Sequence, residues 1–160
     1  GTPLQVGFKQ LASFAAYGDL LRAQWRAVGV DLRIETLETA VFVEDVFTDR
    51  DFDTAIISYC NGVDPQIGVR RQYASASIGP VPFSNAAGYR DPVMDSLFDA
   101  AGSTLDPVRR AATYRVIQQR AVDALPYLWL TESMNTRAYR DRCSGLDGGA
   151  HFAARARCGQ

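Results

Sequence analysis

The chain has 160 residues, 47% of them hydrophobic, and a net charge of −1. That length suits one domain with a real core. The composition excludes a disordered chain, and no apolar run approaches the ~18–20 residues that span a bilayer. The near-zero charge argues against nucleic-acid binding through a basic face. All but one of the 17 basic residues are arginine, a skew read as genome composition, with Lys9 the lone lysine.

The opening Gly1-Thr2-Pro3 runs straight into Leu4-Gln5-Val6-Gly7-Phe8, as expected for a cut inside a longer protein. A missing signal peptide therefore carries no implication of a cytoplasmic protein. Leu4 to Phe8 alternates and predicts a strand. Phe14, Tyr17, Leu21, Trp25 and Val28 fall on one helix face, with Ser13 placed to cap the start and Gly29 to end it. Val30, Leu32 and Ile34 alternate with charged residues and predict a half-buried strand. Thr39 opens a second helix carrying Phe42, Val43, Val46 and Phe47. Phe52 to Tyr59 is nearly continuous in apolar residues, the pattern of a strand covered on both faces. A βαβαβ order calls for a largely parallel central sheet with helices on both faces, an α/β fold, and Trp25 is expected to lie mostly buried against that sheet.

Residues 60 to 90 are rich in Asn, Gly, Pro and Ser and read as a functional loop. Two helices follow, each opened by Asp-Pro: Asp91-Pro92 and Asp106-Pro107. The first carries Val93, Met94, Leu97, Phe98 and Ala101; the second carries Ala111, Tyr114, Ile117, Ala121 and Leu125. Pro126 ends the second, and Tyr127 to Leu130 predicts a short strand. The domain is expected to occupy residues 1–142, with 143–160 a tail that is loosely ordered or closed by a disulfide. Cys143 and Cys158 flank the Gly-rich stretch; bonded in an oxidising compartment, they would contribute roughly 3 kcal/mol in the chain-entropy model. The alternative is two unpaired thiols.

Catalytic patterns are missing. There is no G-x-S-x-G, no phosphate-cradling Gly-rich loop and no H-E-x-x-H. His151 is the only histidine and sits in the Gly/Ala-rich tail. Asp95 and Asp99 read with Asp91 as a solvated face and a cap. The cysteine spacing is not that of a metal site. No enzyme activity, metal or cofactor is expected.

Four ordered segments carry more information. Leu21-Arg22-Ala23-Gln24-Trp25-Arg26-Ala27-Val28-Gly29-Val30-Asp31-Leu32 resembles the helix–Gly–strand element in the C-terminal lobe of family 5 solute-binding proteins, the dipeptide, oligopeptide and nickel binders. Ser58-Tyr59-Cys60-Asn61-Gly62-Val63-Asp64-Pro65 resembles their aromatic loop closing in Asp-Pro. Asn85-Ala86-Ala87-Gly88-Tyr89-Arg90-Asp91-Pro92, with Asp95, is similar to their N-x-x-G-Y-x-[DN]-P-x-x-D stretch. Arg109-Arg110, Tyr114 and Gln118 ahead of Leu125-Pro126-Tyr127 resemble their R-x-x-x-Y-x-x-x-Q helix and following turn. The resemblance covers about residues 15 to 130.

It implies a lobe of the type II periplasmic-binding-protein fold and a solute cleft shared with an N-terminal lobe that this chain lacks. It also implies partnership with ABC transporter permease subunits, and a periplasmic or extracellular location with or without a lipid anchor. A peptide or peptide-like compound is the implied solute. Tyr59 is then the aromatic wall at a strand end, where open α/β sheets place ligands. Asn61, Arg70, Arg71 and Asn85 are the polar candidates, against the plainer reading of turns and solvated arginines. Peptide-binding members often carry an aspartate here for the ligand's α-amino group. This chain has Asn61 or Gly62 instead, in a loop one residue shorter, so neutral or anionic solutes are favoured over free amino termini. The alternative function is the ligand-sensing domain of a transcription regulator, since a related fold occurs fused to DNA-binding domains. A hydrolase or redox enzyme is a third class, with a reactive Cys60 as its sign.

Overall fold

The computed structural model describes residues 3–133, 143–144 and 157–158. The chain divides into two compact units, Gly1–Tyr127 and Leu128–Gln160. Within the first, strands β1 (Leu4–Leu11), β2 (Val30–Leu37) and β3 (Thr54–Ala55) form a parallel sheet in the order β2-β1-β3. β1 pairs with β2 along its whole length, from Leu4 opposite Val30 to Leu11 opposite Leu37. This is the expected parallel α/β arrangement.

The period-two alternation of the strands sends one set of side chains to each face. On one face Phe8, Leu32 and Ile56 are buried under helix α1 (Ala15–Ala27), which contributes Tyr17, Leu21 and Trp25. On the other, Leu11, Leu37, Ala55 and Ile57 meet Phe42, Val46 and Phe47. These come from helix α2 (Thr39–Val43) and the π-helical turn Glu44–Asp49 that continues it. Helices therefore cover both faces. Trp25 belongs to the first cluster but is only half-buried, and Val28 is 77% exposed because it lies at the end of α1 rather than on its inner face. Gly29 takes φ +86°, the left-handed turn that its lack of Cβ makes cheap.

Several sequence expectations fail locally. Ser13 does not cap α1; it lies inside a 3₁₀ turn, Ala12–Phe14, and neither helix start carries a side-chain cap bond. Only Thr54–Ala55 of the 52–59 run forms a strand, and it pairs with β1 alone. The run does pack on both faces, with Ile56 on one side and Phe52, Ala55 and Ile57 on the other, but it lies at the sheet edge. Tyr127 to Leu130 forms no strand, and Leu128, Trp129 and Leu130 are exposed. Leu125 adopts a left-handed conformation at the end of the last helix and is exposed rather than packed. The 60–90 segment is not one irregular loop. It contains helices α3 (Pro65–Gly68) and α4 (Arg70–Tyr73) and a 3₁₀ turn Ser75–Ser77.

Both Asp-Pro signatures hold. Helix α5 (Pro92–Ser103) is capped by Asp91, and helix α6 (Pro107–Ala124) by Asp106. Met94, Phe98 and Ala101 of α5 pack with Ile117 of α6 and Tyr73 of α4. Strands β4 (Cys143–Ser144) and β5 (Arg157–Cys158) form an antiparallel pair in the second unit. The expectations for His151 and for most of the tail from Gly145 lie outside the described residues.

Asp91 does more than cap. Its carboxylate accepts from the Val93 and Met94 amides, from the Tyr89 hydroxyl at 2.7 Å, and from Arg120 of α6. The Arg120 guanidinium, foremost, holds its pKa far below the ordinary aspartate range. Asp106 makes the same cap in solvent. Asp91→Ala should therefore cost about 2–4 kcal/mol of stability, against about 1 for Asp106→Ala, as read by denaturant titration. The depressed pKa means that the contribution of Asp91 is complete above pH ~4 and drains as pH falls through and below that range. The acid limb of the stability profile should flatten in Asp91→Asn and not in Asp106→Asn.

Candidate functional site

The chain leaves the sheet after β3 and reaches Tyr59 on the C-terminal side of the strands, where open parallel sheets leave a crevice. The Tyr59 hydroxyl donates to the Ser84 carbonyl at 3.1 Å. Its ring stands edge-on to Tyr127 at 6.2 Å, and Tyr127 stands edge-on to Tyr73 at 5.5 Å. These offset geometries suit aromatic quadrupoles. Burial, and then Tyr127, pushes the Tyr59 phenol well above its ordinary range, so it stays a neutral donor.

Asn61 is fixed by a neighbour that sequence reasoning missed. Gln72 is fully buried, and its Nε2 donates to Asn61 Oδ1. The Gln72 carbonyl accepts the Tyr127 hydroxyl at 3.0 Å. Backbone packing is tight here as well: a Cβ on Gly68 would stand 1.7 Å from the Asn61 carbonyl oxygen. No pattern in the sequence announces that Gln72 reaches back eleven residues.

The other candidates separate. Arg71 is half-buried, its Nε is buried without a partner, and no ion pair joins it to a described residue. It directly precedes Gln72 in α4, and its charge opposes the rise that burial gives the Tyr59 phenol. Arg70 instead pairs with Asp99 of α5 at 2.6 Å, a largely exposed ion pair worth at most about 1 kcal/mol. Asn85 is fully buried and saturated. It donates to the Ala74 and Tyr89 carbonyls at 3.1 and 2.8 Å and accepts from the Tyr89 amide at 3.0 Å. Its side chain latches the 74–89 segment and has nothing left for a solute. Tyr59 and Asn61 are thus linked through Tyr127 and Gln72, Arg71 adjoins Gln72 in α4, and Arg70 and Asn85 are engaged elsewhere.

Asp64, the carboxylate nearest in sequence, caps α3 through the Gln66 amide and pairs with Arg110 at 2.7 Å. Arg110, foremost, lowers its pKa. Among the described residues no cluster of His, Cys, Asp and Glu could hold a metal ion. Cys60 is a free, exposed thiol. A groove of about 640 Å³ between α5 and α6, lined by Val93, Leu97, Arg115 and Val116 among others, shares no residue with the Tyr59 group. No helix among the described residues is long and apolar enough to cross a membrane.

No family model matches the chain. Protein XP55 of Streptomyces lividans is 30% identical over 149 residues, covering 86% of this chain and 26% of that protein. The ABC transporter-associated periplasmic binding protein DppA from Helicobacter pylori, in complex with peptide STSA, superposes with a TM-score of 0.69 at 18% identity. That match covers 79% of this chain and 25% of DppA. NikZ from Campylobacter jejuni, in complex with Ni(L-His), gives 0.67 at 16% identity over 77% of this chain and 25% of NikZ. The chain spans about a quarter of the length of each. Its fold is that of a type II periplasmic-binding-protein lobe, shared with oligopeptide-, dipeptide- and ABC transporter-associated binding proteins.

The Gly68 contact tests the geometry of the site without touching a solute. Because the opposing atom is backbone, Gly68→Ala should displace the loop at Asn61 and cost about 1–3 kcal/mol. Chemical-shift mapping should place the largest changes at residues 59–64, and changes confined to α3 would refute the close approach.

Proposed function

We propose that the chain is one lobe of the substrate-binding component of an ABC importer. It captures a small solute, such as a peptide or peptide-like compound, in a cleft shared with an N-terminal lobe. The observation that carries this reading is the loop after β3. It carries half-buried Tyr59 and leads into α4, where Arg71 has no carboxylate partner among the described residues, on a fold shared with solute-binding proteins. Tyr59 forms an apolar wall, and Asn61 and Arg71 orient the solute. The role is binding and delivery to permease subunits, without catalysis.

Export to the periplasm or cell surface is part of the proposal. Cys143 is disulfide-bonded, a state that persists in oxidising compartments. We take its partner to be Cys158, which lies opposite it in the β4–β5 register. Non-reducing peptide mapping should recover a Cys143–Cys158 cross-link and a free Cys60 thiol. A different pairing, or three free thiols in protein from an oxidising compartment, would remove this support.

A clamp that encloses its solute between lobes loses about half its contacts when one lobe acts alone. Losing even ~4 kcal/mol weakens binding about a thousandfold. Calorimetry with the same solute should therefore show the chain alone binding at least that much more weakly than the two-lobed protein. Tyr59→Ala in the two-lobed protein should lower affinity while leaving the fold intact. Equal affinity of the lobe and the whole would refute the shared cleft.

A further inference from the structure

The loop after β3 offers a solute hydrogen-bond donors and no free carboxylate, and the cause lies in how its amides are fixed. Gln72 is wholly buried, and its Nε2 is surrounded by acceptors, Asn61 Oδ1 and the Gly68 carbonyl at 3.5 Å. A buried amide must be matched donor to acceptor. Asn61 therefore turns its carbonyl oxygen towards Gln72, and its Nδ2 is the end left over. That nitrogen bonds no described residue and is not among the buried, unpartnered atoms, so it faces solvent as a donor.

Arg71 adds the charge. It follows Arg70 in α4 but, unlike Arg70, has no carboxylate partner among the described residues. The nearby acids are already occupied: Asp64 by Arg110, and Asp99 by Arg70. The Tyr59 hydroxyl, also a donor, is used by the Ser84 carbonyl. An ammonium group entering here would meet a like charge and no anion. A carboxylate would meet a guanidinium with no carboxylate partner among the described residues, a fork suited to it, one residue before the Gln72 that fixes the Asn61 amide.

We infer that this site selects solutes bearing a carboxylate, which Arg71 neutralises and Asn61 Nδ2 orients, and that Gln72 is the positioning residue holding the Asn61 amide donor-outward. This rests on the reading above that the solute lies over the Tyr59 loop.

The test is an NMR titration of the two-lobed protein with succinate as the anionic probe and 1,4-diaminobutane as the cationic one. Sodium chloride at matched ionic strength is the control. Succinate should shift the Arg71 Nε–Hε and Asn61 Nδ2 signals saturably, while chloride and the diamine should not. Arg71→Gln should weaken succinate binding about ten- to a hundredfold, the size of a lost charge-assisted hydrogen bond. Arg71→Lys should fall between the two. Asn61→Asp keeps an acceptor for Gln72 and so keeps the loop, but replaces the outward donor with an anion; it should lose succinate and gain the diamine. Equal shifts with chloride, or an unchanged response in Arg71→Gln, overturn the inference. If the diamine moves the Tyr59 ring signals and succinate does not, the carboxylate inference falls while the solute site stands. If no probe moves Tyr59 or any residue of the loop, both fall.

Discussion

Gln72 joins three segments that lie far apart in sequence, and its burial constrains all of them. With no exposure to water, its side-chain donor has to find acceptors inside the protein, and it finds Asn61 and Gly68. Its backbone carbonyl takes the hydroxyl of Tyr127, 55 residues further on. The loop after β3, the helical turn α4 and the chain leaving α6 therefore meet at one residue. Its Oε1 has no partner among the described residues, so the arrangement carries a desolvation cost that the surrounding packing must offset.

That meeting point explains why the candidate site is aromatic. Tyr127, whose hydroxyl reaches the Gln72 carbonyl, stands edge-on to Tyr73, and Tyr59 completes the edge-on series. Tyr73 also packs on Phe98 of α5, which links the site to the helical core of Met94, Ala101 and Ile117. Asp91 secures that core from the other side by tying Tyr89, the start of α5 and α6 together. The site thus stands on rigid elements although its residues lie in a loop, as a binding surface with reproducible geometry requires.

The charges around the loop are sorted as well. Three arginines of the neighbourhood are accounted for differently: Arg110 holds Asp64, Arg70 holds Asp99, and Arg71 holds no carboxylate among the described residues. Pairing the first two removes the nearby acids from competition for the third. A half-buried guanidinium is costly to keep without a counter-ion, and Arg71, unlike Arg70, has none among the described residues, so it carries the proposal.

Local chemistry determined a good part of this protein from sequence alone. The alternation of Val30, Leu32 and Ile34, the helix face of Phe14, Tyr17, Leu21 and Trp25, the turn at Gly29 and the two Asp-Pro caps all depend on residues within a few positions of one another. For such features propensity and periodicity are sufficient. The segment order was legible for the same reason, whereas Tyr59, expected at a strand end, lies beyond β3, which stops at Ala55. Tertiary structure alone decided the rest. Phe52 to Tyr59 is covered on both faces as its sequence reads, but it lies at the sheet edge and pairs only through Thr54–Ala55, because hydrophobicity does not encode which strands become neighbours. Arg70 and Arg71 are chemically equal in sequence. Only packing gave one of them Asp99 and left the other without a carboxylate among the described residues, and only packing buried Gln72 and thereby chose which end of Asn61 faces outward.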